Sequence, residues 1–279
     1  MFPSPFSYVR PGRLPEALAL LAQDSEGAKV LAGGQSLLPL MKLRLAAPAT
    51  LIDLGDLDEL RHVRIDGDTL VVGALTRFCD LETSTDVQDA CPVLAHVASR
   101  VGDPQVRHRG TIGGTLAHAD PASDLPMLLL ALEADVVVSS VRGSRLISCL
   151  DLFEGFMTTC MTEDEILTEI RIPRHRRSWA YEKLTRRAQE WAVLGVAALS
   201  DDDGRVRVAL ANVGSTPLRA TTVEAAWADG DDPATAAASV IADIHPFADS
   251  VGTIEYRQQL TVTLVERALS TVREGAVDA

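Results

Sequence analysis

The chain has 279 residues, 47% hydrophobic and 23% charged, which is enough to bury a large core in two or three lobes. Its formal net charge of -13, from 26 Lys and Arg against 39 Asp and Glu, excludes a broad basic face for a nucleic-acid backbone, so any anion site must be local. The most apolar run, PMLLLALEADVVV from Pro126 to Val138, is interrupted by Glu133 and Asp135 and falls short of the ~20 residues a membrane span requires.

In chain order, MFPSPFSYVRPG lacks a basic segment followed by an apolar stretch and does not read as a secretory leader. PEALALLAQ (15–23) has Pro at its start and a helical apolar stripe, and reads as a helix. KVLAGG reads as a strand ending in glycines, followed by a helix with Ser36 as N-cap and Pro39 in its first turn. PATLIDL is a second strand, and the acidic, turn-rich stretch 55–58 marks a boundary. The next section alternates the strand TLVVGALT (69–76), a helix in CPVLAHVASRVG (91–102), a glycine-rich loop, the helix DLPMLLLALEA (124–134) and the strand DVVVSS. It closes on EILTEIRIP (165–173), a strand stopped by Pro173.

Beyond the basic tract 174–177, two longer strands, WAVLGVAALS and RVRVALANVG, are joined by Asp202-Asp203-Gly204, a hairpin signal. A loop at 229–239 leads into a weak helix, and Leu260, Leu264, Ala268 and Leu269 recur at helical spacing in the last one. Three units follow: an N-terminal lobe at 1–56, a second lobe at 57–173 and an α+β domain at 174–279. Cys79, Cys91, Cys149 and Cys160 are scattered with no CxxC, so they signal neither zinc nor an iron–sulfur cluster and read as free thiols of a reducing cytoplasm in preference to two disulfides.

The pair Gly33-Gly34 after a strand serves either as a plain turn or as an anion cradle, because glycines permit positive φ and let backbone N–H groups converge on a ligand. A second pair, Gly113-Gly114, lies between Thr111 and Thr115 with Arg107 and Arg109 upstream, and Ser123 and Asp124 stand at a helix start. Two cradles suit two phosphates, and a carboxylate suits a sugar or polyol, which points to a dinucleotide. No GxGxxG is present, so a doubly wound nicotinamide site is not its host. For His118 and Asp120 no serine or cysteine nucleophile with a third orienting group can be identified, which disfavours hydrolytic chemistry.

AGGQSLLPLMKLRL, LIDL, QVRHRGTIGGTLAHADPASDLP, EILTEIRIP and YEKLTRR, in this order, closely resemble the FAD-binding medium subunit of the molybdenum hydroxylases, the carbon monoxide dehydrogenase and xanthine dehydrogenase relatives. The resemblance implies an α+β fold, a two-lobed FAD-binding domain (PCMH-like) followed by a small α+β C-terminal domain of antiparallel strands and helices. It implies noncovalent FAD, with Lys29, Val30, Leu31, Ala32, Gly33, Gly34, Gln35, Ser36 and Leu37 as one wall and the N–H groups of Gly33 to Ser36 on the phosphates. Gly110, Thr111, Gly114, Thr115, Ala117 and His118 match the other wall. Ser123 and Asp124 match polyol or sugar contacts, Val101 and Leu167 apolar contacts, Lys183 a lysine near the cofactor, and Trp191 an aromatic position at the ring edge. Thr115, and a position near His118, depart from the asparagines of the carbon monoxide dehydrogenase pattern.

By the same resemblance, a large subunit carries the molybdenum cofactor and a small one the 2Fe-2S clusters, in a dimer of heterotrimers. Electrons from the iron–sulfur clusters reach an external acceptor through FAD on this chain. The alternatives are a stand-alone FAD-dependent oxidoreductase acting on a small molecule and a FAD-binding module for assembly or sensing.

Overall fold

A computed structural model describes residues 2–275; Met1 and residues 276–279, at the outer ends of the first and third expected units, lie outside the described residues. The N-terminal lobe is a three-stranded parallel sheet in the order β1-β3-β2, built from β1 (Ser7–Val9), β2 (Ala28–Leu31) and β3 (Thr50–Asp53). Parallel neighbours need crossovers. These are α1 (Leu14–Gln23), with Pro in its first turn, and α2 (Leu37–Lys42). Ala17, Leu18 and Leu21 of α1 close the core with Ile52 and Leu54.

The middle lobe centres on an antiparallel sheet made of β4 (Val63–Asp66), β5 (Thr69–Gly73), β6 (Asp135–Ser140) and β7 (Gly143–Ser148), with a fifth strand between β5 and β6. Between β5 and β6 the chain forms α3 (Phe78–Thr83), α4 (Thr85–Ala90), α5 (Pro92–Ser99), α6 (Pro104–Arg107), α7 (Ile112–His118) and α8 (Asp124–Ala131). After β7 come α9 (Cys149–Leu152), the small hairpin β8 (Phe153–Gly155) and β9 (Thr158–Thr159), and then β10 (Ile166–Pro173), the central strand of the order β4-β5-β10-β6-β7. Ile166 at the start of β10 joins the core of the first lobe while Ile170 and Ile172 stay in the second, so one strand ties the two.

The third sheet, in the order β11-β12-β13-β14, is an antiparallel meander of β11 (Trp179–Leu184), β12 (Leu194–Ser200), β13 (Val206–Ala211) and β14 (Leu218–Arg219). The turn expected at Asp202-Asp203-Gly204 is present, with Gly204 at φ 75° and Asp201 N–H donating to Arg205 O at 3.0 Å. Both faces of this sheet are covered, and the period of two sorts them. Ala197, Leu199, Ala209 and Ala211 join the core that contains α8, whereas Val196, Ala198, Val208 and Leu210 face α10 (Thr221–Ala228), α11 (Pro233–Ala238) and α12 (Ile254–Arg273). All eight residues of α8 are buried, as expected of a helix apolar on every side. In α12 the buried residues Leu264, Val265, Ala268, Leu269 and Val272 form the stripe the spacing predicts.

Two local expectations are corrected. Ser36 sits at the N-cap position of α2 but has helical φ and ψ and makes no side-chain cap, because a turn is already formed there, with Leu38 N–H donating to Gly34 O at 3.2 Å. Gly113-Gly114 belongs to no loop: both lie in the first turn of α7. Among the described residues, no helix is long and apolar enough to cross a membrane.

Candidate functional site

The two glycine segments meet. A Cβ on Gly33 would stand 2.9 Å from Gly110 Cα and 2.8 Å from the carbonyl carbon of Arg109, so backbone passes against backbone with no room for a side chain. Gly34 has φ 76°, a conformation that other residues adopt at a cost. Among the described residues, none of the backbone N–H groups of Gly33, Gly34, Gln35 and Ser36 has a hydrogen-bond partner. Four successive unengaged amides at a strand end, in a turn with a left-handed residue, form a cradle for an anion. Leu37 opens α2 behind it, and Val30 and Leu31 of β2, then Ala32, lead up to it, with Lys29 exposed at the far end.

The second glycine pair works differently. Gly113 N–H donates to Ala74 O at 2.9 Å and Gly114 N–H to Thr111 Oγ1 at 3.1 Å, so these amides are used inside the chain. What the pair supplies is close approach. A Cβ on Gly113 would meet Ala74 Cβ at 2.5 Å, and one on Gly114 would stand 2.7 Å from Thr111 Oγ1, with Ala32 at an ordinary 3.7 Å. Thr111, which caps α7, is held by pairing between Gly110 O and Phe78 N–H at 3.1 Å. Ile112, Gly113 and Leu116 are buried, leaving Gly114, Thr115, Ala117 and His118 as the outward face of α7, beside the cradle. These four and Gly110 and Thr111 are the expected second wall.

At the end of α7 the chain turns through Ala119 at φ 53° and reaches Ser123 and Asp124. Asp124 is 5% exposed. One of its oxygens accepts from Tyr181 Oη at 2.7 Å and the other from Lys183 Nζ at 2.8 Å. Burial pushes the Asp124 carboxyl up from its ordinary range, and the charge and hydrogen bond of Lys183 and the hydroxyl of Tyr181 pull it back. The Tyr181 phenol is held well above its usual value by burial and by the neighbouring carboxylate. Lys183 also donates to Arg100 O at 3.3 Å, which places Val101 at the same corner.

Ser123 Oγ is buried and has no hydrogen-bond partner, although most buried hydroxyls find one. An unsatisfied hydroxyl beside a carboxylate that retains acceptor capacity fits a polyol or ribose, and the amide cradle fits a phosphate. The residues present therefore suit FAD. Leu167 lies behind this surface, 5% exposed, in β10 next to Thr168, whose carbonyl accepts from Ala74 N–H at 3.0 Å. Trp191 is 59% exposed, on the loop between β11 and β12, and is not drawn into either group. Tyr181 is a site residue that the motifs do not mark, although its alternation with Lys183 on one strand puts both on the same face. Among the described residues no group of His, Cys, Asp and Glu side chains could hold a metal ion.

Two family models cover the chain: FAD binding domain in molybdopterin dehydrogenase over residues 4–175, and CO dehydrogenase flavoprotein C-terminal domain over 179–272. The carbon monoxide dehydrogenase medium chain of Hydrogenophaga pseudoflava is 41% identical, across 97% of this chain and 98% of the relative. Caffeine dehydrogenase subunit beta of a Pseudomonas strain is 37% identical across 99% and 98%. Among solved structures, carbon monoxide dehydrogenase from Hydrogenophaga pseudoflava superposes with a TM-score of 0.94, covering 99% of this chain and 100% of that one. Quinoline 2-oxidoreductase from Pseudomonas putida 86 gives 0.92 at 32% identity, with both chains fully covered.

Proposed function

The chain belongs to the FAD-binding medium subunits of the molybdenum hydroxylases, the carbon monoxide and xanthine dehydrogenase type, and on that premise we propose that the surface from Ala32 to Leu37 and from Gly110 to Asp124 is where it holds FAD. The observation that carries this reading is the cradle of four unengaged amides at Gly33 to Ser36, fixed against Gly110. These N–H groups take the pyrophosphate. The outward face of α7, with Thr115 and His118, forms the opposite wall, and neither side chain has a hydrogen-bond partner among the described residues. Ser123 and Asp124 receive hydroxyls of the polyol or sugar, with Val101, Leu167 and Lys183 around them as support, while Lys29 to Leu31 belong to the wall that carries the cradle.

Bound FAD supplies an acceptor for single electrons and a donor of electron pairs. The protein's share is to exclude water and fix orientation, and the Asp124–Tyr181–Lys183 group does so from beneath, joining α8 to β11. The lobes 1–56 and 57–173 hold the cofactor, and 174–279 backs it. FAD is held noncovalently and is the cofactor of this chain; the molybdenum cofactor and 2Fe-2S clusters reside on a large and a small partner subunit, in a dimer of heterotrimers. The relatives matched over nearly their whole length are medium chains and subunits, which favours this reading over a stand-alone flavoenzyme. Four free cysteines, two of them buried, accord with a cytoplasmic location.

The test is the visible spectrum of the purified chain, with release of its chromophore by denaturation and a titration of the stripped chain with FAD. Flavin bands and free FAD support the proposal. A folded, colourless chain that takes up no FAD overturns it.

A further inference from the structure

Asn212, just after β13, joins three parts of the molecule that are distant in sequence. It has φ 65°, a left-handed conformation that Asn tolerates better than most residues. Its backbone N–H donates to Pro121 O at 2.8 Å, two residues before Ser123. Its side-chain Nδ2 donates to Ala192 O at 2.7 Å and to Val193 O at 3.3 Å, directly after Trp191. Its own carbonyl accepts from Arg257 Nη1 at 3.4 Å, and the same nitrogen donates to Val193 O at 2.8 Å. Arg257 is 3% exposed, held by Asp249 at 2.7 Å with Phe247 stacked 5.3 Å away.

The exposed part of the loop that this assembly grips, from Thr185 to Trp191, has few contacts of its own, while Ala192 and Val193 behind it are buried. The whole loop runs from Leu184 to Leu194, carries Gln189 at φ 68°, and exposes Arg186, Arg187 and Trp191. Its ion pairs, Arg186 and Arg187 to Glu190 at 3.9 and 3.7 Å, are long and solvent-facing, a class that contributes little. At its base Val193 N–H donates to Leu184 O at 2.8 Å.

We propose that Asn212, backed by Arg257, is a positioning residue that locks the Trp191 loop to the Pro121–Asp124 turn, so that a ligand seated on that turn restrains the loop. The second half of this statement rests on FAD binding at Ser123 and Asp124. Asn212 itself need not touch FAD. Its backbone fixes the turn, its amide fixes the loop with Arg257 Nη1 beside it, and movement of one is carried to the other through this residue.

The experiment is trypsin cleavage of the full-length chain after Arg186 and Arg187, followed by mass spectrometry, with and without saturating FAD. Two variants isolate the amide. Asn212→Gly keeps the left-handed backbone and the bond to Pro121, and Asn212→Asp keeps the shape but replaces the donor with an acceptor. Loss of two hydrogen bonds to the loop should speed cleavage of the stripped chain about tenfold in both variants, without a change in overall melting. FAD should protect the wild-type loop several-fold, and should bind Asn212→Gly with near wild-type affinity while protecting its loop little. Unchanged cleavage in the stripped variants, or full protection of Asn212→Gly by FAD, overturns the proposal. Failure of the wild-type chain to bind FAD would overturn the cofactor reading and the ligand-restraint half, while the stripped-chain comparison still decides the positioning role.

Discussion

Gly33→Ala is the sharpest perturbation of the cradle. The added methyl would press on the Arg109 carbonyl and lie 2.9 Å from Gly110 Cα, and all the atoms it meets are backbone. Restoring ordinary contact near 3.5 Å requires the two segments to part by roughly 1 Å, since neither has a rotamer to change. Overpacking of this kind costs about 1–3 kcal/mol in stability. The same displacement opens the cradle, and an anion held by several short amide contacts should lose about 10–100-fold in affinity when those contacts lengthen together. Gly12→Ala is the control, because its Cβ would have nothing within 4 Å. Gly34→Ala is intermediate: it strains φ 76° by about 1 kcal/mol, but its Cβ meets Leu38 Cδ1, the end of a side chain that can swing away. Titration of the stripped chains with FAD, read by quenching of flavin fluorescence, together with thermal melts, gives both quantities. Gly33→Ala binding FAD within twofold of wild type, with an unchanged melt, would refute the reasoning.

Three further outcomes follow from buried groups. Lys183→Met leaves the Asp124 carboxylate buried without its cation and should cost about 3–5 kcal/mol in chemical denaturation, with part recovered in the double variant with Asp124→Asn. An additive double variant would show that the pair is not coupled. His175 is 5% exposed, and burial, followed by the Arg207 charge, pushes its pKa down. The folded state therefore keeps it neutral while the unfolded chain takes a proton below about pH 6.5, so stability should fall as pH drops below that point, and His175→Gln should flatten the slope. The Cys91 thiol, fully buried, is pushed up to about 12. Its unfolded form ionises first, so its contribution is complete below about pH 8.5 and declines by about 1.4 kcal/mol per pH unit up to the folded value, a decline that Cys91→Ala should remove from melts at pH 9–10.

Strands and helices with a clear period were legible in the sequence: α1, β3, α8, β10 and α12 lie where the patterns place them. So was Gly34, whose left-handed backbone is what a glycine after a strand suggests. The second glycine pair was misplaced because the reason for Gly113 is a contact with Ala74, 39 positions away in the turn after β5, and nothing local distinguishes that need from a loop. The use of the Gly113 amide by Ala74 was invisible for the same reason, whereas Thr111 capping Gly114 across three positions is a local pattern. Ser36 resembled a cap in composition, but the preceding turn had already placed it in the helix. Asp124 was legible as a carboxylate at a helix start and Lys183 through family likeness, whereas their direct pairing is a tertiary fact, as is the part played by Asn212.

The position of β10 bears on how the chain emerges from the ribosome. This strand is the last of its lobe to be synthesised, yet it lies at the centre of the sheet, pairing with β5 on one side and β6 on the other, and its first residue completes the core of the lobe before it. Residues 2–165 alone lack the strand that joins the β4–β5 and β6–β7 ribbons, so the sheet of the middle lobe stays open until Pro173 is in place, and the core of the first lobe lacks Ile166. The third sheet, by contrast, is a meander of neighbours in sequence and can pair as it is made. Closure of the surface assigned to FAD is thereby deferred until well over half the chain exists, and a nascent chain stalled before β10 would expose both edges of an unfinished sheet.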